Sequence, residues 1–183
     1  MKFKESLTPE KWIMLGIPCL FVIGAVFHFL YNICGGFPIV GLIAPVNESV
    51  WEHLKMVVWP IIGWWTIYYL ANHDKQTIYK NKWFTAALAS LITAIMTIPL
   101  LFYFYTGAFG IESLLIDILI LLLAVLFGQL MGLHVYKHSK GISANDVIII
   151  FVGIIALFML MTLCPPELPI FLDSSTGTYG IPQ

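Results

Sequence analysis

Hydrophobic positions along the chain fall into five long runs, at residues 12–33, 50–70, 83–104, 113–136 and 147–164. Each approaches the ~20 residues that a helix needs to cross ~30 Å of hydrocarbon. The alternation of a strand is absent, so the pattern predicts an all-α polytopic bundle rather than a barrel. The chain reads as one membrane domain, residues 1–183, with five transmembrane spans. Trp12, Trp64, Trp65, Trp83 and Tyr136 lie near the ends of runs, where amphipathic rings favour the interface.

Two segments fit neither a span nor an ordinary loop. Residues 34–45, CGGFPIVGLIAP, are apolar but broken by Gly and Pro. They cannot form a regular helix and are too short to cross. An outer loop at 34–49, dipping against the bundle where protein or water satisfies its backbone, is expected. The tail 165–183, PPELPIFLDSSTGTYGIPQ, is too apolar for a disordered end and too Pro-rich for a sixth span. It is expected to fold over the outer mouth.

Charge sets the orientation. All nine basic residues are Lys. Lys2, Lys4 and Lys11 precede the first run; Lys75, Lys80 and Lys82 follow the second; Lys137 and Lys140 follow the fourth. If the runs alternate, all of these fall on one side, which the positive-inside rule makes cytoplasmic. The N-terminus is then inside, the C-terminus outside, and the localisation is the cell membrane, multi-pass. Only Lys55 dissents. No basic cluster suits nucleic acid. The first run lacks a small-x-small cleavage site and reads as a retained anchor.

On this topology the polar residues of the spans gather at the outer end. The stretch NESVWEH, residues 47–53, opens the second span, with Ser49 as a helix cap and Glu52 three residues on in a capping-box position. Capping does not account for His53 together with Glu48 and Glu52. His28 lies in the outer half of the first span, with Asn32 one turn out and Gly24 one turn in. Asp117 sits near the outer start of the fourth span and is expected to face His28 or His53. Ionisable groups inside a membrane are costly and point to function. A polar cavity lined by His28, Asn47, Glu48, Glu52, His53 and Asp117 follows.

Other features have plainer readings. Gly128 and Gly132 form a GxxxG pair, a helix-packing face that also permits a homodimer. His134 and His138, beside Lys137 and Lys140, read as a solvated interfacial face. Ser90, Thr93 and Thr97 read as polar glue between helices. Cys34 and Cys164 lie at outer span ends, where a disulfide is permitted. Spacing does not decide whether one forms.

VNESVWEHLKMVVWP (residues 46–60) and DSSTGTYGIP (residues 173–182) resemble the signature of a family of small multi-span bacterial membrane proteins of largely unknown function. The resemblance covers the whole chain. In size and character the chain is also similar to the heme-sensing-operon membrane proteins of clostridia. That second resemblance implies heme binding, heme handling and defence against oxidative stress.

Three functions are weighed. The first is a heme b protein with His28 and His53 as iron ligands, Asn32 and Asn47 beside the cofactor, and Glu48, Glu52 and Asp117 as acceptors for the ligands' other ring nitrogens. No CxxCH offers covalent attachment. The second is a metal-dependent intramembrane hydrolase using the same residues on zinc, although no HExxH is present. The third is a transport or scaffold subunit, disfavoured as a monomeric transporter by the lack of an inverted repeat. The heme reading is the leading expectation.

Overall fold

A computed structural model describes residues 7–73 and 78–181. Lys2, Lys4 and Lys75, used in the charge count, lie outside them. Seven α-helices are described: α1 (Pro9–Ile33), α2 (Pro38–Gly41), α3 (Val50–His53), α4 (Lys55–Asn72), α5 (Lys80–Phe109), α6 (Leu114–His138) and α7 (Ala144–Leu163). A 3₁₀ turn, Pro169–Phe171, follows in the tail. The architecture is all-α, 75% helical. Among the described residues an isolated antiparallel bridge, Leu172 with Tyr179, is the sole trace of β-structure.

Four helices, α1, α5, α6 and α7, are long and apolar enough to cross a membrane. The fifth expected span corresponds to α3 and α4 together, interrupted at Leu54. It does not join that set. At 18 residues α4 is long enough, but Lys55, Asn72 and the polar edges of Trp59, Trp64 and Trp65 make it less apolar than the other four.

Local chemistry sets the ends. Thr8 caps α1, its Oγ1 accepting from Lys11 N at 3.4 Å, and Pro9 takes the first turn, where its missing N–H costs nothing. α5 ends on Gly110 at φ 64°, the left-handed cap that glycine adopts without strain.

Small residues decide how closely the helices approach. A Cβ on Gly128 would lie 2.8 Å from the Ser90 carbonyl oxygen of α5, and one on Gly132 would lie 2.8 Å from the Trp65 ring. The GxxxG pair is buried and packs α6 against α5 and α4 within the chain. Ser90, Thr93 and Thr97 are not the expected interhelical glue. Thr97 donates to the Thr93 carbonyl of its own helix at 2.7 Å, and Ser90 Oγ is buried without a partner.

At the end opposite the site α1 and α4 are clasped by a reciprocal pair. Trp12 Nε1 donates to the Trp64 carbonyl and Trp64 Nε1 to the Trp12 carbonyl, both at 3.2 Å. Their rings stack with centroids 4.2 Å apart. This antiparallel clasp brings the end of α1 alongside the start of α4, where the polar residues lie.

Candidate functional site

The 34–49 loop is held by one lysine. Lys55 Nζ, with a side chain 0% exposed, donates to the Gly41 carbonyl at 2.6 Å, the Ala44 carbonyl at 3.4 Å and Glu52 Oε2 at 2.6 Å. Glu52 also accepts from Val46 N at 3.0 Å and from Thr162 Oγ1 of α7 at 3.1 Å. A buried ion pair survives when its remaining lone pairs and protons are satisfied, and here they are. Lys55 dissented from the lysine pattern because its ammonium terminates loop carbonyls rather than facing a solvent. Glu52, expected beside the histidines, belongs to this strut.

The capping box is half made. Ser49 Oγ accepts from Glu52 N at 3.3 Å, but the reciprocal acceptor for Ser49 N is Asn47 Oδ1, at 2.9 Å. With Asn47 in that place, the Glu52 carboxylate is free to reach Lys55. Asn47 Nδ2 donates to the Gly180 carbonyl at 2.8 Å and so ties down the tail. Both ends of its amide are thus engaged within the chain. Trp51 stacks on Phe158 of α7 and packs on Phe171 of the tail, with centroids 4.5 and 4.7 Å apart. The tail thus covers the end of the bundle at which residues 47–53 lie.

His28, Glu48 and His53 are brought together. One ligand atom from each lies within 4.8 Å of the others. Glu48 Oε2 is 3.4 Å from His53 Nε2, and Glu48 Oε1 is 3.9 Å from His28 Nε2. The two rings stack at 5.2 Å and 24°. Gly24 makes the approach possible: a Cβ there would lie 2.7 Å from the Met56 carbonyl oxygen of α4.

The hydrogen bonds constrain the protons. His53 Nδ1 lies 2.8 Å from the Ser49 carbonyl oxygen, which can only accept. Nδ1 therefore carries a proton, and in the neutral ring Nε2 is a bare lone pair. That lone pair faces a carboxylate. Two acceptors 3.4 Å apart repel unless a cation lies between them, either a second proton on His53 or a metal ion. The hydrogen bond to His53 is the main cause that holds Glu48 below the usual carboxylate range. His28 Nδ1 is buried with no hydrogen-bond partner.

Two further carboxylates flank the cluster. Asp117 accepts from Tyr105 Oη at 2.8 Å, and its charge reaches His53. Asp173 lies in the tail, and its charge reaches Glu48. Burial pushes Asp173 up, but hydrogen bonds from Ser175 and Thr176 outweigh it and hold the group low. Asp173 and Thr162 escaped the sequence reading; an Asp followed by two hydroxyl residues is a turn signal that could have flagged the first. Asn32 lies exposed near the end of α1. Cys34 and Cys164 are both exposed and unbridged.

Comparison with known proteins adds a family and no activity. The model of a family described as of unknown function, DUF6512, matches residues 1–181. No curated protein and no solved structure matches.

Proposed function

The chain belongs to the DUF6512 family, whose description names no activity, and we propose from the geometry that it holds one divalent transition-metal ion at its outer end through His28, Glu48 and His53. One observation carries this reading. His53, fixed by Ser49 as the Nδ1–H tautomer, aims its Nε2 lone pair at the Glu48 carboxylate. Zinc bonds of ~2.0–2.2 Å to nitrogen and oxygen imply tetrahedral edges of about 3.3–3.5 Å. The observed 3.4 and 3.9 Å to Glu48 need little adjustment, and the two imidazole nitrogens, within 4.8 Å of each other, close to the same edge as the ion draws them in. The Ser49 carbonyl is the outer partner that fixes a metal-bound imidazole.

Three protein donors leave a fourth position open, the composition of catalytic rather than structural zinc sites. An ion so held is a Lewis acid and lowers the pKa of bound water to ~7. The reading therefore extends to metal-dependent hydrolysis at the outer face.

Heme, the first expectation from these histidines and from the clostridial resemblance, asks for a different arrangement. Two axial imidazoles must oppose each other across a porphyrin. Here the rings stack side by side and turn their Nε2 atoms to one carboxylate. Heme propionates also want cations. The outer lysine, Lys55, is buried with three oxygen partners.

The topology proposed with this site is five spans, N-terminus inside and C-terminus outside. α4 supplies the remaining crossing, supported by its packing against both α1 and α5. The test is elemental analysis with an absorption spectrum of protein purified from membranes. One zinc-type ion per chain and no Soret band supports the reading. A Soret band lost in His53→Ala restores heme.

A further inference from the structure

Resting on the metal reading, we infer that the open coordination position is filled from within the membrane, by the uncharged ester carbonyl of an acyl lipid. The depth of the site is the first argument. His28 lies five residues before Ile33, the last residue of α1, so at ~1.5 Å per residue it sits about 7–8 Å inside the helix end. Beyond that end the chain does not become polar. Residues 31–46 carry no charged side chain.

Exposure is the second argument. Ile33, Phe37, Ile39, Phe109, Ile111 and Leu168 are each more than half exposed, and all belong to the outer ends and their connections. Apolar side chains of that size on outer connections seek the hydrocarbon side of the interface. The polar headgroup surface then lies outward of the cluster, and the cluster is level with the base of the headgroups. Beside His28, Phe29 is 56% exposed and meets its ring edge-on at 4.8 Å. The histidine thus borders a lipid-facing surface. The boundary between headgroup and acyl chain is where the ester carbonyls of acyl lipids lie.

Charge is the third argument. Glu48 is itself a donor, the charges of Asp117 and Asp173 reach His53 and Glu48, and Lys55 is already engaged. A divalent ion in that negative field carries no excess positive charge to draw a phosphate. A neutral carbonyl oxygen needs none, and a Lewis acid binds it directly.

The test uses the full chain loaded with cobalt(II), whose visible absorption reports the ligand set. It is placed in nanodiscs of a diacyl phosphatidylcholine and, separately, of the dialkyl-ether phosphatidylcholine with the same headgroup and chain length. The inference expects the cobalt bands to differ between the two, and inorganic phosphate at millimolar concentration to move neither. Identical bands in both lipids, or bands moved by phosphate, overturn it while leaving the metal site standing. Failure to bind cobalt at one ion per chain overturns both.

Discussion

His28 and His53 belong to different helices, yet their rings stack 5.2 Å apart and both present Nε2 to the Glu48 carboxylate. This relationship separates a small-ion site from a porphyrin site. Replacing either histidine by Ala, or Glu48 by Gln, removes a donor from the same ion. Each change should lower metal affinity by on the order of 100-fold, the upper end of what even a ligand's outer partner contributes. Competition titration with a chromophoric chelator measures it. His134→Ala, on the exposed pair at the far end of α6, should leave affinity unchanged.

The pH dependence has a definite sign. Metal ligands must be deprotonated, so affinity should rise as pH increases through the histidine range. In the metal-free protein Glu48 titrates below its unfolded value. Its contact with His53 therefore contributes fully above the ordinary carboxylate range and fades as pH falls through the depressed folded value. Thermal melts of metal-free wild type and Glu48→Gln should stand apart at pH 5 to 6 and converge as pH falls below the ordinary carboxylate range. An offset that stays constant down through that acid range would contradict the contact.

The strut beneath the site makes a stability prediction. Lys55→Met leaves the Glu52 carboxylate buried without its cation, which should destabilise by about 3–5 kcal/mol. Lys55→Met combined with Glu52→Gln should be milder than the single change. Reversible unfolding in mixed micelles resolves the two.

Gly24→Ala tests the close approach behind the histidine pair. Its Cβ meets a backbone carbonyl, which cannot rotate away, so α1 must shift from α4. A cost of roughly 1–3 kcal/mol is expected, together with weaker metal binding because His28 moves with α1. Gly128→Ala should destabilise similarly, through the Ser90 carbonyl, with metal affinity retained by the surviving protein.

Much of this was legible in the sequence. Run length alone predicts α1, α5, α6 and α7, because a membrane leaves little freedom in how a backbone is satisfied. The oddity of His28 and of residues 47–53 was visible as polar groups in apolar surroundings. What could not be read is which carboxylate faces which partner. Glu48 and Glu52 are one turn apart, yet Glu48 reaches the histidines and Glu52 reaches Lys55. That division follows from the loop fold, whose Gly41 and Ala44 carbonyls draw the lysine inward. Long-range partners such as Thr162, 110 residues from Glu52, leave no periodic trace. GxxxG was recognisable as a packing motif, but its partner within the chain, Ser90, is a tertiary fact.

The polar turn of the tail tests the proposed orientation. Ser174 is exposed there. With the native cysteines replaced, Ser174→Cys should be labelled by a membrane-impermeant maleimide applied to intact cells. Labelling that requires access to the cytoplasm would invert the topology and place the site inside.

The most direct measurement is zinc K-edge X-ray absorption on the purified, metal-loaded protein, wild type beside His28→Ala and His53→Ala. The account predicts a four-coordinate nitrogen and oxygen shell at ~2.0–2.1 Å. Imidazole scattering should correspond to two rings in wild type and one in each variant that still holds metal. A shell without imidazole scattering, or one unchanged by both substitutions, would contradict it.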